Sequence, residues 1–161
     1  MIKIIQGNLF DSKADIIAHQ VNCQGIMGSG VARQVKKKYP TVFDMYEDMC
    51  ITNTSKNLLG IAQICVVSND TIIANLFAQD SYGYRHDGKQ YTDLSALYCA
   101  LSGLKRYALY KDFSIAIPYK IGCARGGADW ENEVFPMIQT LFKNANMEIW
   151  KLPEGTNDNE L

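Results

Sequence analysis

Two glycine-rich segments hold the residues of this sequence that are best suited to chemistry. The first, VNCQGIMGSGVARQ, covers residues 21–34, and the second, KIGCARGGADW, covers residues 120–130. Glycine lets the backbone approach a ligand closely and adopt positive φ. Free N–H groups at the start of a helix then bind phosphate oxygens. The two segments together predict a site for a diphosphate; the alternative is that these glycines only form tight turns.

Neither segment fits the two best-known phosphate-binding patterns. A P-loop ends in Gly-Lys followed by Ser or Thr, and no such run is present. The dinucleotide pattern G-x-G-x-x-G would begin with Gly28 and Gly30, but its third glycine is replaced by Arg33. The sequence therefore suggests neither ATP hydrolysis nor hydride transfer.

The cysteines predict reduced thiols rather than a structural framework. There are five, at positions 23, 50, 65, 99 and 123, and none forms a C-x-x-C pair. This pattern argues against a disulfide frame and against a zinc site, and two histidines are too few for a His-rich metal centre. We find no signal peptide and no apolar run near about 18 residues. We therefore expect a cytoplasmic protein with no membrane attachment, no metal and no cofactor.

The composition is that of one globular domain. The chain has 161 residues, of which 47% are hydrophobic and 20% are charged. Its net charge of −1 gives no general attraction to nucleic acid or to a membrane surface. The last nine residues, PEGTNDNEL, are polar. We predict a domain over residues 1–152 and a frayed polar tail over residues 153–161.

Apolar patterning predicts strands that alternate with helices. The predicted strands cover residues 2–6, 15–22, 61–67, 71–78, 113–118 and 147–152. The predicted helices cover residues 30–39, a stretch from an N-cap at Thr41 to about residue 50, 92 to about 107, and a stretch from an N-cap at Asp129 to about 143. This alternation is typical of an α/β domain whose sheet is covered on both faces.

Both glycine-rich segments follow the carboxyl end of a predicted strand and precede a predicted helix. In open α/β sheets, ligands bind at that edge. Two such loops at one edge would form two walls of one cleft.

Four motifs, taken in order, resemble the macro domain family. They are QGNLF (6–10), ADIIAHQVNC (14–23), MGSGVA (27–32) and IPYKIGCARGGADW (117–130). The chain looks closest to small stand-alone members: terminal ADP-ribose glycohydrolases, the antitoxin that removes ADP-ribose from DNA, and the fungal ADP-ribose-1''-phosphate phosphatase. The resemblance implies a three-layer α/β/α sandwich around a mixed sheet of about six strands, with a cleft for ADP-ribose.

The resemblance also assigns a ligand-binding role to three segments. Residues 7–10 match the adenine end, residues 22–31 match the loop around the distal ribose and diphosphate, and residues 122–127 match the second phosphate loop. Many family members have Asp where Asn8 stands. The implied binding residues are Asn8, Leu9, Val21, Asn22, Cys23, Gly28, Ser29, Gly30, Val31, Ile121, Gly122, Cys123, Ala124, Arg125, Gly126 and Gly127.

The implied catalytic residues are His19, Gln79 and Asp80. Hydrolases of the terminal ADP-ribose type carry a lysine at the position of Gln79, and a glutamine can neither form a Schiff base nor act as a general base. This departure favours the phosphatase, which also lacks that lysine and has a histidine where His19 stands. His19 either positions or protonates a group near the distal ribose, or is a core imidazole bonded to the backbone.

Strand alternation places His19, Val21 and Cys23 on one face, and Gln20 and Asn22 on the other. If Asn22 faces the cleft, His19 would therefore face away from it. We interpret the two loop thiols as small loop residues rather than nucleophiles, because neither has a base beside it in sequence.

The polar loop over residues 79–91 either folds over the ligand or is only a mobile surface loop. Its candidate contacts are Tyr82, Tyr84, Arg85 and His86.

The resemblance leaves two classes of function open. The first is hydrolysis of an ADP-ribose derivative at the distal ribose C1'', with an ADP-ribosylated macromolecule as one possible substrate; the second is an ADP-ribose-binding module without turnover.

Overall fold

The computed structural model describes residues 1–83 and 87–156. Its elements, in chain order, are β1 (Ile2–Gln6), a 3-10 turn (Leu9–Asp11), β2 (Ile16–Asn22), α1 (Gly30–Lys38), α2 (Pro40–Thr52), α3 (Ser55–Leu58), β3 (Ala62–Ser68), β4 (Thr71–Gln79), α4 (Leu94–Lys111), β5 (Ile115–Pro118), a π-helical turn (Trp130–Val134), α5 (Phe135–Leu141) and β6 (Met147–Lys151).

Within these residues six strands form one sheet, in the order β1-β6-β5-β2-β4-β3. All neighbouring strands are parallel except β3, which runs antiparallel to β4. The predicted mixed sheet of about six strands is confirmed. The strands β2 and β5, which precede the two glycine-rich loops, are direct neighbours.

Helices cover both faces of the sheet, which confirms the three-layer sandwich. On one face, Ile17, Val21 and Phe77 of the strands pack with Val42 and Tyr46 of α2. On the other face, residues of the strands pack against α4 and α5. This second cluster includes Ile16, Ala18, Leu76, Leu101, Leu104 and Ile138. Alternate strand residues therefore enter opposite cores, as the period of a β-strand requires.

Two predicted helix starts are wrong. Helix α2 has Tyr39 as its N-cap and Pro40 as its first residue, rather than Thr41 as its cap. Proline suits this position because its fixed φ is helical and its missing N–H would have no partner there. Helix α4 is capped by Asp93, whose carboxylate accepts a hydrogen bond from the Ala96 N–H at 2.9 Å, so Thr92 lies before the helix.

The predicted helix after Asp129 is broken in two. Asp129 is the N-cap as predicted, and its carboxylate accepts a hydrogen bond from the Asn132 N–H at 3.0 Å. A π-helical turn over Trp130–Val134 follows, and α5 covers only Phe135–Leu141. Pro136, in the first turn of α5, has no N–H with which to continue an α-helical ladder from the preceding turn.

Candidate functional site

The candidate site lies at the edge of the sheet where the parallel strands end. Five strands are parallel, so the loops after β1, β6, β5, β2 and β4 all leave from this edge, in that spatial order. The chain leaves β2 for α1 and α2 on one face, and leaves β5 for α5 on the opposite face. A crevice therefore opens between β2 and β5, which is the usual position of a ligand in an open α/β sheet.

Asn22 organises the first glycine-rich loop. Its amide Nδ2 donates to the Ile26 carbonyl oxygen at 2.8 Å, and its Oδ1 accepts from the Gln24 N–H at 2.9 Å. The Tyr46 hydroxyl donates to the same Oδ1 at 2.8 Å. Because both ends of the amide are occupied within the described residues, Asn22 shapes the loop that surrounds the crevice.

The expected alternation of side chains stops at Asn22. The pairing of β2 with β4 shifts register between Val21 and Asn22, so that Asn22 pairs with Gln79. Asn22 then contacts Tyr46, which belongs to the core on the same side as Val21 and Cys23. The prediction that Asn22 and His19 point to opposite faces is therefore wrong at Asn22.

The first turn of α1 has free N–H groups. Ser29 is its N-cap, but within the described part of the chain the Ser29 side chain makes no capping hydrogen bond. The nearby starts at Asp93 and Asp129 are both capped by a carboxylate. An uncapped helix N-terminus carries partial positive charge and unsatisfied donors, and anions bind to such a terminus. Gly30, the first residue of this helix, has a φ of +54°.

The second glycine-rich loop is folded against the segment over residues 89–92. The Gly126 carbonyl oxygen accepts hydrogen bonds from the N–H groups of Tyr91 and Thr92, at 2.8 and 2.9 Å. A methyl group added to Gly127, whose φ is +73°, would lie 2.6 Å from the Lys89 carbonyl oxygen. The glycines at 126 and 127 are thus required by close contact within the protein itself, a reason that the sequence did not indicate.

Two backbone N–H groups of the second glycine-rich loop remain available to a ligand. Among the hydrogen bonds of the described residues, none uses the backbone N–H of Ala124 or of Arg125. Both residues line a depression of about 360 Å³, together with Asp87, Gly88, Lys89, Gln90 and Gly127. The other predicted residues of this loop are less open: Ile121 is buried, and Cys123 is half-buried.

A larger depression of about 590 Å³ lies between α4 and β3, the outermost strand of the sheet on the side of β4. Its lining is formed by Gly60, Ile61, Ala62, Ile64, Cys99, Gly103, Arg106, Tyr107 and Tyr110. No strand end or glycine-rich loop of the crevice contributes to it. We therefore place the candidate site at the edge from which both glycine-rich loops leave their strands.

The structure buries His19 beneath α1 and α2. Its side chain is 1% exposed, and Nε2 hydrogen-bonds to Asn75 Oδ1 at 2.7 Å. Asn75 in turn donates to Gln63 Oε1 at 2.9 Å, so the three side chains link β2, β4 and β3. Burial lowers the pKa of His19 to about 4, which leaves the imidazole neutral near pH 7. His19 is therefore not brought to the crevice with the glycine-rich loops.

Gln79 and Asp80 stand at the end of β4, beside the first loop. The Cys23 N–H donates to the Asp80 carbonyl oxygen at 3.1 Å, and Gln24 Nε2 donates to Asp80 Oδ1 at 3.1 Å. Gln79 Oε1 accepts from Gln20 Nε2 at 2.8 Å. The structure thus brings the neutral amide and the carboxylate to the same edge as the two glycine-rich loops.

At the other end of the crevice, Asn8 caps the 3-10 turn that contains Leu9. Asn8 Oδ1 accepts a hydrogen bond from the Phe10 N–H at 3.0 Å. Gly7 packs against the Trp150 ring, which a methyl group at Gly7 would approach to 3.0 Å. Part of the acceptor capacity of Asn8 is therefore used by the backbone, while Leu9 is buried.

The two loop thiols are weak nucleophiles in this setting. Burial raises the pKa of Cys23 to about 12, with the nearby Asp80 carboxylate adding to the shift. Burial also raises the pKa of Cys123 to about 12. Because the thiolate is the reactive form, these values agree with the interpretation of both cysteines as packing residues.

Sequence reasoning gave no role to Gln20, Tyr46 or Thr92. Gln20 and Thr92 join the end of β4 to the second glycine-rich loop, and Tyr46 joins α2 to the first one. The predicted contacts Tyr84, Arg85 and His86 lie outside the described residues, and Tyr82 is exposed.

No group of three or more His, Cys, Asp or Glu side chains among the described residues is arranged to hold a metal ion. No described helix is long and apolar enough to cross a membrane.

No protein-family model matches the chain. The chain is 33% identical over 101 residues to the ADP-ribose 1''-phosphate phosphatase of Debaryomyces hansenii, a match that covers 52% of this chain and 56% of that relative. It is 28% identical over 133 residues to the DNA ADP-ribosyl glycohydrolase of Mycobacterium tuberculosis, covering 82% of this chain and 36% of that relative. The chain thus spans about a third to just over half of the length of these curated relatives.

Solved structures extend the similarity to the whole fold. The macrodomain of Mycobacterium tuberculosis DarG superposes with a TM-score of 0.79 at 25% identity, covering 96% of this chain and 99% of that one. Sheet order, layers and this superposition show that the chain has the fold of the macrodomains. In sequence it is similar to proteins named for ADP-ribose 1''-phosphate phosphatase and DNA ADP-ribosyl glycohydrolase activity.

Proposed function

We propose that the chain binds ADP-ribose at the carboxyl edge of its sheet and hydrolyses an ADP-ribose derivative at the distal ribose C1''. The observation that carries the proposal is the pair of loops at the crevice between β2 and β5. One loop leads into the uncapped start of α1, and the other has free amides at Ala124 and Arg125. Two sets of backbone donors, in loops that follow neighbouring parallel strands, suit the two phosphates of ADP-ribose.

The rest of the ligand would extend along the edge in both directions. The adenine end would meet Asn8 and Leu9, which follow β1, and the distal ribose would meet the loop from Asn22 to Val31. Gln79 and Asp80, at the end of β4, lie beside that loop. The matched relatives carry ADP-ribose derivatives in their names, which supports this choice of ligand.

Release of phosphate from ADP-ribose-1''-phosphate is the activity that we favour. Gln79 has no lone pair basic enough to act as a nucleophile or general base, so a lysine-type attack on the sugar is not supported. A reaction in which water is consumed and ADP-ribose and inorganic phosphate are formed needs mainly positioning and donors for the phosphate oxygens. Asp80 is our candidate for orienting the water. His19 is too deeply buried to touch the reacting atoms.

The second candidate is a module that binds ADP-ribose without turnover. The observation that favours it is the weak chemistry of the crevice: both loop thiols have pKa values raised to about 12, and Gln79 does not ionise. Such a site would hold the ligand through its backbone donors alone.

Phosphate release from ADP-ribose-1''-phosphate tests the proposal and separates the candidates. We expect multiple turnovers in the wild type and a large loss in Asp80→Asn, which keeps the hydrogen bond from Gln24 but removes the charge. Asp70→Asn, in the turn between β3 and β4 at the far edge of the sheet, is the matched control and should retain activity. ADP-ribose binding without any release would select the binding module. Release of ADP-ribose from a modified DNA or protein, without phosphatase activity, would select the glycohydrolase.

A further inference from the structure

We propose that Gln20 is a positioning residue that holds the Gln79 side chain as a fixed, uncharged hydrogen-bond donor facing the ligand. This inference rests on the proposed function, because it assigns the Gln79 donor to an acceptor oxygen in the distal part of bound ADP-ribose. Gln20 lies within β2, on the strand next to β4, which ends at Gln79.

Two hydrogen bonds from Gln20, and a third from Thr92, join β2 to the neighbouring loops. Gln20 Nε2 donates to Gln79 Oε1 at 2.8 Å and to Thr92 Oγ1 at 2.7 Å. The Thr92 hydroxyl donates to the Gly122 carbonyl oxygen at 2.7 Å. Both N–H groups of the Gln20 amide are therefore used, one toward the end of β4 and one toward the second glycine-rich loop.

Two backbone carbonyls determine the direction of every bond in this network. The Thr92 hydroxyl has one proton, and it goes to the Gly122 carbonyl, so the hydroxyl oxygen must accept from Gln20. Gln79 Nε2 donates to the Ser81 carbonyl oxygen at 2.9 Å, so Gln79 Oε1 must be the end that accepts from Gln20. Rotating the Gln20 amide by half a turn would place its oxygen against two acceptors.

This orientation leaves the side-chain oxygen of Gln20 without a hydrogen-bond partner. Gln20 Oε1 is buried and has no hydrogen-bond partner among the described residues. It lies so close to the backbone that a methyl group on Gly122 would approach it to 2.6 Å. A buried amide tolerates an unpaired oxygen when its two N–H groups are both committed, as they are here.

These contacts determine which group of the Gln79 amide is available to a ligand. Its oxygen is occupied by Gln20, one N–H is occupied by Ser81, and no described residue accepts the second N–H. Gln79 therefore offers a single neutral donor at the edge of the crevice. Such a donor binds an acceptor oxygen of the ligand without adding charge, and it needs Gln20 to keep it from rotating.

A double-mutant cycle on ADP-ribose affinity tests this coupling. We expect Gln20→Met, which keeps the length of the side chain, and Gln79→Ala each to weaken binding by about 3- to 10-fold, the value of one hydrogen bond. The double variant should bind no more weakly than Gln79→Ala alone, because Gln20 acts through Gln79. Multiplying effects, or an unchanged dissociation constant in Gln20→Met, would overturn the proposal.

The matched control is Gln63→Met, which removes another strand glutamine that bonds through its side chain, to Asn75 and to the Met45 carbonyl. It lies on β3, away from the crevice, and should leave ADP-ribose affinity unchanged while costing similar stability. If Gln20→Met does not fold, Gln20→Glu replaces it: a carboxylate cannot donate to Gln79, so the same loss of affinity is expected.

A measurement without ligand separates this inference from the proposed function. The side-chain amide of Gln79, assigned in 15N-labelled protein by its disappearance in Gln79→Ala, should be as rigid as the backbone in the wild type. In Gln20→Met its heteronuclear NOE should fall sharply. If ADP-ribose fails to bind but this change is seen, the function is wrong and the positioning stands. A Gln79 amide that is equally mobile in both proteins overturns the positioning.

Discussion

The Tyr46 hydroxyl donates to Asn22 Oδ1 at 2.8 Å and lies 2.9 Å from the Asn22 carbonyl oxygen. This contact joins the middle of α2 to the last residue of β2, where the first glycine-rich loop begins. Tyr46 is fully buried and packs against Phe77 of β4, with ring centroids 5.7 Å apart. The loop that forms one wall of the crevice is thus held by a helix that follows it in the chain.

Tyr46→Phe should weaken both the fold and the loop. The ring packing remains, but Asn22 loses a buried donor, so we expect the free energy of unfolding to fall by about 1–3 kcal/mol. ADP-ribose should also bind more weakly. Urea unfolding and calorimetric titration measure the two effects. Tyr98→Phe, on the exposed face of α4, is the control and should change neither; equal behaviour of the two variants would contradict the role of Tyr46.

Ser29→Asp should change stability and affinity in opposite directions. A carboxylate at this N-cap would accept from the free amides of α1 and favour the helix dipole, raising the free energy of unfolding by about 0.5–1 kcal/mol. It would also occupy the amides proposed for phosphate and repel that group. We expect thermal unfolding to occur at a higher temperature and ADP-ribose to bind at least about tenfold more weakly, a change of about 1.4 kcal/mol.

Ser68→Asp adds the same charge at the opposite edge of the sheet and is the control for net charge. It should leave the affinity unchanged. If Ser29→Asp stabilises the protein but keeps wild-type affinity, the start of α1 does not bind the ligand.

Gly127→Ala should disrupt the second loop. Its φ of +73° disfavours a side chain, and the added methyl group would lie 2.6 Å from the Lys89 carbonyl oxygen. We expect a loss of about 2–4 kcal/mol in the free energy of unfolding and a clear loss of ADP-ribose affinity. Gly155→Ala is matched for backbone strain, with a φ of +86°, but meets no atom within 4 Å. It should cost about 1 kcal/mol and leave binding intact; similar losses in the two variants would argue against the contact at Lys89.

His19 should make the fold sensitive to acid. Burial lowers its pKa from 6.5 to about 4, so between these values the unfolded chain binds a proton that the native chain does not. The native state therefore keeps its full stability above pH 6.5 and loses up to about 3 kcal/mol as the pH falls toward 4. In His19→Gln, which can still bond to Asn75, this loss should be absent. Urea unfolding of both proteins from pH 4 to pH 7.5 checks this; parallel curves would show that His19 titrates normally.

The order of the six strands and of the helices α1, α2 and α4 followed from the sequence because it depends on local patterns. Apolar runs and glycine-rich breaks predicted the strands from β1 to β6 and placed both loops at carboxyl ends. The edge at which those loops meet followed as well, since parallel strands end together. These features require only the period of a strand or helix and the conformational freedom of glycine.

The polar network and the starts of α2 and α4 did not follow; the network depends on residues far apart in the chain. Gln20, Thr92 and Gly122 come together only when β2, β4 and the second loop are placed side by side. The register shift beside Asn22 is likewise set by β4, so the strand period alone assigned its side chain to the wrong face. At Thr92 and Thr41, preferred capping residues lie next to Asp93 and Pro40, which determine the actual starts.

Calorimetric titration of the wild-type protein with ADP-ribose, with ATP and NAD as comparison ligands, tests the central claim most directly. Our account predicts one site per chain that binds ADP-ribose selectively, because the crevice offers donors for a diphosphate and a further region for the distal ribose. If none of the three ligands gives a heat of binding, or if all three bind with equal affinity, the result would contradict an ADP-ribose site at this edge of the sheet.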